Sequence, residues 1–199
     1  MYFDRQDLAA LISSRICHDL ISPLGAISNG LELLEMAGLA RGPEMELIAQ
    51  SISNANSKIR FFRVAYGQAP NGVTMAQGEI VSILKDYFNN GRVTTTWLAN
   101  IEAERRDVKL AFLAIQCLEE ALPYGGKITV DYVHNEWVVS VMNARLKDLS
   151  ASWALFDGQD VTDTLAASHV QFGMLAMLTQ WRKPVLAVDV TDSSIALRF

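Results

Sequence analysis

The sequence predicts an α+β protein in which an N-terminal antiparallel helical hairpin precedes a mixed layer of strands and helices. Apolar residues recur every three or four positions through the first third of the chain, a spacing typical of amphipathic helices. After the Gly- and Pro-containing segment 67–72, the pattern changes to short β-branched runs between helical segments. Half of the 199 residues are apolar, which is enough for a core in both parts.

The first predicted helix runs from an N-cap at Asp4 to about Met36. Its apolar stripe consists of Leu8, Ile12, Ile16, Leu20, Leu24, Ile27, Leu31 and Leu34. At 100° per residue, His18 points away from that stripe. The small residues around it are Ser14, Ser22, Gly25 and Asn29. An exposed imidazole among short side chains can be approached by a partner protein, which favours a functional role for His18. The alternative interpretation is an ordinary solvated histidine on the helix surface.

Two neighbours set His18 apart from an ordinary surface histidine. Asp19 can accept a hydrogen bond from Nδ1–H, which fixes the tautomer and leaves Nε2 as a nucleophile. Pro23 removes a backbone donor and crowds the carbonyl of the residue four positions back, which costs an ordinary helix roughly 3 kcal/mol. We therefore expect the helix to keep this proline because it needs a bend.

A turn over residues 38–43 leads into a second predicted helix that begins at Pro43. Its heptad seam consists of Met45, Ile48, Ile52, Ala55, Ile59, Phe62 and Tyr66. Two helices of about 45 and 35 Å cannot cover both of their seams as a single pair. We expect a homodimer through residues 1–67 that closes a four-helix bundle, with a hairpin packed only on its own C-terminal part as the alternative.

The second part of the chain is predicted to form antiparallel hairpins with helices on one face. The predicted elements are a helix Glu79–Phe88, a strand Arg92–Leu98, an apolar helix Arg105–Leu122, a hairpin of Lys127–Val133 and Glu136–Met142 turned by His134-Asn135, a helical stretch from about Asp163 to Trp181, and strands Val185–Val190 and Ser194–Phe199.

Composition and spacing exclude several classes of partner. A net charge of −5 argues against nucleic acid. Cys17 and Cys117 lack metal-type spacing, and neither His134 nor His169 has ligands at metal spacing. Asp157-Gly158-x-Asp160 is best explained as a turn. With no leader and no long apolar run, the sequence indicates a cytoplasmic protein that has no metal, no membrane contact and reduced cysteines.

The residues around His18 also carry a family resemblance. His18-Asp19-x-x-Ser22-Pro23-Leu24 resembles the H-box of sensor histidine kinases. Over residues 1–199 the chain is similar to the ChpT family of alphaproteobacterial histidine phosphotransferases, in which Cys-His-Asp, Ser-Pro and Gly-x-x-Leu-Leu-Glu occur in this order. The corresponding segments here are Cys17-His18-Asp19, Ser22-Pro23 and Gly30-Leu31-Glu32-Leu33-Leu34-Glu35.

The resemblance implies three segments. Residues 1–67 would form the dimerisation and histidine phosphotransfer domain, 68–75 a linker, and 76–199 a sandwich resembling the histidine kinase ATP-binding domain without its nucleotide site. Glu120 stands where kinases have a magnesium-binding Asn, and Met142–Leu146 replaces the adenine-binding Asp-x-Gly-x-Gly. The glycine-rich lid is also missing. Because backbone amides cradle phosphates only where side chains are absent, we expect neither ATP binding nor autokinase activity.

The function implied by the resemblance is phosphoryl transfer in a multistep phosphorelay. His18 would accept the group from a receiver-domain aspartate of a hybrid kinase and pass it to response-regulator receivers, which supply Mg²⁺, so the chain needs no cofactor of its own. Asp19 and Ser22 complete the predicted catalytic set. The predicted partner-binding residues are Arg15, Leu11, Ser14, Ile21, Gly25 and Asn29. The alternatives are a true kinase core, a non-catalytic dimer that inhibits receivers or kinases, and a structural dimer.

Overall fold

A computed structural model of the chain describes residues 5–39, 42–89, 91–157, 165–180 and 186–199. The chain divides into two compact units, Met1–Gln68 and Ala69–Phe199. Each has its own secondary structure, helical in the first unit and mixed in the second. The predicted α+β class is confirmed by this architecture.

The first unit is a helical hairpin of α1 (Arg5–Met36) and α2 (Pro43–Ala65). Gly38 adopts φ +72°, and the Gly38 and Leu39 N–H groups donate to the carbonyls of Glu35 and Leu34, which caps the C-terminus of α1. Pro43 occupies the first turn of α2, as predicted. The predicted cap at Asp4 lies outside the described residues.

The face of α1 that packs in the hairpin differs from the predicted stripe. Ala10 and Cys17 are buried, and Leu24 and Leu31 continue this seven-residue series as half-buried residues. The other described members of the predicted stripe are between 41% and 53% exposed; these are Ile12, Ile16, Leu20, Ile27 and Leu34. Together with Ala10 and Cys17, the apolar residues of α1 form a band wider than the predicted stripe. One chain covers only the face nearer α2.

On α2, the described side chains become more buried toward the C-terminal end. Ile52 and Ile59 of the predicted seam are buried, whereas Ile48 near the N-terminal end is exposed. The last turns add Phe61 and Val64 to the core. The apolar contacts of the hairpin are therefore concentrated at the end of α2 that leads into the second unit.

The second unit contains a five-stranded sheet and several helices. Its elements are β1 (Thr74–Met75), α3 (Gln77–Tyr87), β2 (Val93–Trp97), β3 (Ala103–Glu104), α4 (Arg105–Glu120), β4 (Gly126–Val133), β5 (Glu136–Val141), α5 (Ser150–Trp153), α6 (Val170–Thr179), β6 (Ala187–Val190) and β7 (Ile195–Arg198), with 3-10 turns at Ala154–Asp157 and Ala167–His169. The sheet order is β2-β4-β5-β7-β6, and β1 pairs with β3 separately.

Strand pairing agrees with the predicted hairpins except at β2. The β4–β5 hairpin turns at His134 and Asn135, both at positive φ, as a two-residue turn requires. β2 instead pairs in parallel with β4, since the chain crosses over through α4 between them. The short β1–β3 pair was not predicted. The predicted 163–181 helix is shorter, α6 covering Val170–Thr179, and residues 163, 164 and 181 lie outside the described residues.

The core of the second unit lies between α4 and one face of the sheet. Phe112, Leu113 and Leu118 of α4 are fully buried, and α4 contacts α6, β4 and β5. On the sheet, Ile128 and Val139 face this core. The alternate positions Thr96, Thr129, Ser140 and Ala196 lie in register across the sheet and are half-buried. Among the described helices, none is long and apolar enough to cross a bilayer.

Candidate functional site

His18 lies near the middle of α1 with 81% of its side chain exposed. Its Nδ1 is 3.0 Å from the Oδ1 atom of Asp19. A carboxylate only accepts hydrogen bonds, so this contact places the proton of the neutral ring on Nδ1. Nε2 has no hydrogen-bond partner within the described chain. The result is an exposed imidazole whose free nitrogen carries the lone pair.

Asp19 also accepts a hydrogen bond from Arg15. The Arg15 Nε–H donates to Asp19 Oδ2 at 2.7 Å, one helical turn away. The hydrogen bonds from His18 and then from Arg15 hold the pKa of the Asp19 carboxyl below its usual value. Both carboxylate oxygens are thus occupied, and the carboxylate is fixed in the orientation that serves the imidazole. The sequence predicted Arg15 as a partner-binding residue that offsets the charge of the phosphoryl group, but not its contact with Asp19.

Ser22 lies one turn beyond His18 and is exposed. Side chains four apart on a helix are neighbours, with about 5–6 Å between their Cβ atoms. The Ser22 hydroxyl is therefore within reach of a group attached to His18 Nε2. Pro23 follows it inside a helix that continues without interruption to Met36.

The predicted partner-binding residues separate into two sets. Leu11 and Asn29 are exposed beside His18, as the helical periodicity predicts. Ser14, Ile21 and Gly25 are half-buried. The Ser14 hydroxyl accepts a hydrogen bond from the Gln68 backbone N–H at 3.2 Å. Ser14 and Ile21 lie on the side of His18 that leads toward the buried seam, whereas a Cβ at Gly25 would meet no atom within 4 Å, so Gly25 lies in the open close to the line of His18.

The exposed face around His18 also includes two apolar residues that sequence reasoning missed. Leu33 and Met36 are 66% and 85% exposed. At 100° per residue Met36 falls almost directly in line with His18, and Leu33 falls within about 60° of that line. The sequence could have shown this, because two large apolar residues that lie off the predicted stripe must be exposed on another face of the helix.

Cys17 is not a nucleophile despite its position next to His18. Its side chain is buried in the hairpin, and desolvation raises the pKa of the thiol. This agrees with its predicted role as a small packing residue.

The second unit carries an ion pair between Glu120 and Lys147. Lys147 Nζ donates to Glu120 Oε1 at 2.5 Å, and His169 Nε2 lies 3.7 Å from the same oxygen. The Lys147 backbone N–H also donates to the carbonyl of Ala121. Within the described residues, no group of three or more potential metal ligands is found. Of the Asp157–Asp160 segment, only Asp157 is described.

Comparison with known proteins identifies the family. The model of the "Histidine phosphotransferase C-terminal domain" family matches residues 77–193. The protein phosphotransferase ChpT of Brucella abortus (strain 2308) is 42% identical over 195 residues, which cover 95% of this chain and 93% of that protein. The chain belongs to the histidine phosphotransferase family. The predicted resemblance is therefore confirmed, as is the phosphotransferase class at the level of the family.

A solved structure extends the similarity to the fold. The 1.7 Å structure of a bacterial phosphotransferase is similar with a TM-score of 0.69 and 28% identity, covering 100% of this chain and 98% of that one. The match spans both the helical hairpin and the sheet-containing unit, so the whole architecture is shared.

Proposed function

We propose that this phosphotransferase carries phosphoryl groups between receiver-domain aspartates, with His18 as the carrier. The observation that supports this most strongly is the hydrogen bond between Asp19 and His18 Nδ1, because it leaves an exposed Nε2 with its lone pair available. The donor is an aspartyl phosphate of a hybrid kinase receiver, and the acceptors are aspartates of response-regulator receivers.

The proposed reaction requires no proton transfer by this chain. The Nε2 lone pair attacks phosphorus, the bond between phosphorus and the receiver carboxylate breaks, and the electron pair leaves with the carboxylate. The phosphorylated ring keeps its Nδ1–H and becomes cationic. Asp19 then accepts a stronger hydrogen bond and offsets that charge. Attack by a second receiver carboxylate reverses the step, with Mg²⁺ supplied by the receiver.

Arg15 and Ser22 support the transfer from either side of His18. Arg15 fixes Asp19 through Nε–H, and its terminal nitrogens make no hydrogen bond within the described chain. Those nitrogens can donate to phosphoryl oxygens as the charge develops. Ser22 lies one turn from His18 in the other direction, and its hydroxyl can donate a hydrogen bond to the phosphoryl oxygens. Positioning and charge neutralisation of this kind account for most of the catalysis in phosphoryl transfer.

The receiver is proposed to dock on the His18 face of α1. Leu11 lies about two turns before His18, and Leu33 and Met36 lie four to five turns after it. The His18 face thus has exposed apolar residues toward both ends of α1 and short polar side chains between them. A partner protein that packs on these apolar residues would bury the reacting groups in the interface. Residues 1–67 serve in this proposal as the phosphotransfer and dimerisation domain, and 68–75 as the linker to residues 76–199.

A homodimer is proposed from the second apolar face of α1. Ile12, Ile16, Leu20, Ile27 and Leu34 are exposed in a single chain. At 100° per residue they centre roughly opposite His18. A second copy that covers them closes a four-helix bundle and leaves His18 on the outside.

Residues 76–199 are proposed to lack nucleotide chemistry. The family resemblance aligns Glu120 with the kinase asparagine, and Glu120 forms an ion pair with Lys147. The strand β5 leads into Met142–Leu146 without a glycine. We therefore expect labelled ATP to leave His18 unphosphorylated.

The test is phosphoryl transfer from labelled receivers. Wild-type protein is expected to take up acid-labile, base-stable label and pass it to a second receiver, and His18→Ala is expected to do neither while keeping its fold. His134→Ala is the matched control, because it removes another exposed histidine in a hairpin turn. If His18→Ala kept regulating receivers without any transfer, the non-catalytic inhibitor would replace this proposal.

A further inference from the structure

An exposed tyrosine lies where α4 leads into β4, with an arginine over its ring and two further exposed cations at the adjoining starts of β2 and β4. We define the Tyr124 patch as Arg92, Tyr124, Lys127, Met142 and Arg145. Tyr124 is 60% and Met142 70% exposed. The guanidinium carbon of Arg145 lies 4.4 Å from the centroid of the Tyr124 ring, within range of a cation–π contact.

The backbone brings these residues together from separate segments. The Gly126 N–H donates to the Arg92 carbonyl at 3.2 Å. Gly125 has φ +93°, and a Cβ there would lie 2.4 Å from the Arg92 carbonyl oxygen and 2.9 Å from its Cβ. Only glycine therefore allows the chain after Tyr124 to pass Arg92 this closely. Lys127 follows on β4, in register with Thr94 of β2.

The positive charge of the patch is not balanced locally. The side chains of Arg92 and Lys127 form no ion pair or hydrogen bond within the described chain, and the Arg145 guanidinium lies over the Tyr124 ring without an ion pair to a described residue. The carboxylates nearest in sequence to Tyr124 and to Arg145, which are Glu120 and Asp148, have other partners. Glu120 accepts from Lys147 at 2.5 Å, and Asp148 accepts from the Ser150 backbone and hydroxyl at 2.9 and 2.7 Å. Three unpaired cations are thus exposed on a protein of net charge −5.

Arginine, tyrosine and methionine are the residue types enriched at protein interfaces, and tyrosine and arginine are common hot spots. Unpaired cations among them favour a partner surface of negative charge. We infer that the Tyr124 patch binds an acidic surface of a receiver domain. This inference rests on the proposed function, which supplies the receiver as the partner.

The test measures the affinity of fluorescently labelled receiver domains, cloned from the same genome, for the full-length protein. Arg145→Glu and Lys127→Glu are each expected to weaken binding about tenfold at low salt, and the difference is expected to shrink at high salt because exposed charges are screened. Arg106→Glu is the matched control, an exposed arginine at the other end of α4 that donates to Asn71. It is expected to stay within about twofold of wild type.

Equal affinities for the patch variants and the control would overturn the inference, as would tighter, patch-dependent binding of single-stranded DNA. Lys127→Glu changes an exposed strand residue, so it tests the patch even if Arg145→Glu loosens the Tyr124 loop. Phosphoryl transfer in the same samples separates the two proposals. Transfer that needs His18 but ignores the patch overturns only this inference, and patch-dependent binding without label on His18 overturns only the phosphotransfer route.

Discussion

The two units of the chain differ in how much apolar surface they cover on their own. In the second unit, nearly every apolar residue of α4 is buried, and Phe112, Leu113 and Leu118 have no exposed surface. In the helical hairpin, Ile12, Ile16 and Leu20 of α1 are about half exposed. The comparison indicates that the second unit covers its own core, whereas the hairpin leaves apolar side chains of α1 exposed, on the face where we propose a second copy.

The largest effect is expected in the core of the second unit. Leu113→Ala removes a fully buried side chain and is expected to cost about 2–5 kcal/mol of unfolding free energy. Ile16→Ala, at a half-exposed position on α1, should cost far less in a monomeric sample. Denaturant unfolding at low protein concentration measures both. Equal losses would mean that the two units do not differ as described.

The next effect concerns the exposed apolar face of the hairpin. Ile16→Asp together with Leu20→Asp places two charges on that face and is expected to weaken dimerisation by at least about a hundredfold. Analytical ultracentrifugation over a concentration series measures the shift. Val81→Asp, an exposed valine on α3, is the control. A wild-type chain that stays monomeric at micromolar concentration would remove the proposed dimer.

Within the hairpin, the residues around His18 are expected to affect rate rather than fold. Asp19→Asn loses the charge that offsets the phosphorylated ring, and transfer should slow about ten- to a hundredfold. Arg15→Ala should slow it less, since Asp19 keeps its contact with His18. Stopped-flow transfer assays with matched melting curves separate these effects from unfolding. If Arg15→Ala slowed transfer more than Asp19→Asn, contact of Arg15 with the phosphoryl group would outweigh the contribution of Asp19, contrary to this account.

The smallest effect is the pH dependence of the Arg15–Asp19–His18 contacts. The hydrogen bonds from His18 and Arg15 hold the folded pKa of Asp19 below its usual value. These contacts therefore stabilise α1 above the usual pKa of an aspartate and are lost as the pH falls through the folded pKa. The side chain is exposed, so the change in helix stability should be slight. Circular dichroism of wild type and Asp19→Asn between pH 5 and about pH 2 measures this effect. The difference in helix stability between the two proteins is expected to disappear only at the acidic end of that range.

Local patterns predicted much of this fold, because periodicity and turn chemistry operate within a few residues. Examples are the span of α1, the start of α2 at Pro43 and the hairpin turn at His134 and Asn135. The parallel pairing of β2 with β4 and the β1–β3 pair depend on contacts between distant segments, which periodicity does not encode. The periodicity of α1 likewise predicts an apolar stripe but not which of its residues a single chain covers, because that depends on tertiary contacts.

The candidate site also combines features that follow from local spacing with features that depend on the folded structure. His18, Asp19 and Ser22 lie within one turn of each other, so their proximity follows from helical spacing, although the role of Arg15 in holding Asp19 does not. The Tyr124 patch could not be predicted, because Arg92, Tyr124 and Arg145 belong to separate segments that meet only in the folded sheet.

The central claim is that Nε2 of His18 receives the phosphoryl group because Asp19 holds the proton on Nδ1. The most direct measurement is ³¹P NMR of the protein after phosphorylation by a receiver, combined with mass-spectrometric identification of the modified residue. We expect a single phosphohistidine at His18, phosphorylated on Nε2. Phosphate on Nδ1, or on any other residue, would contradict the account.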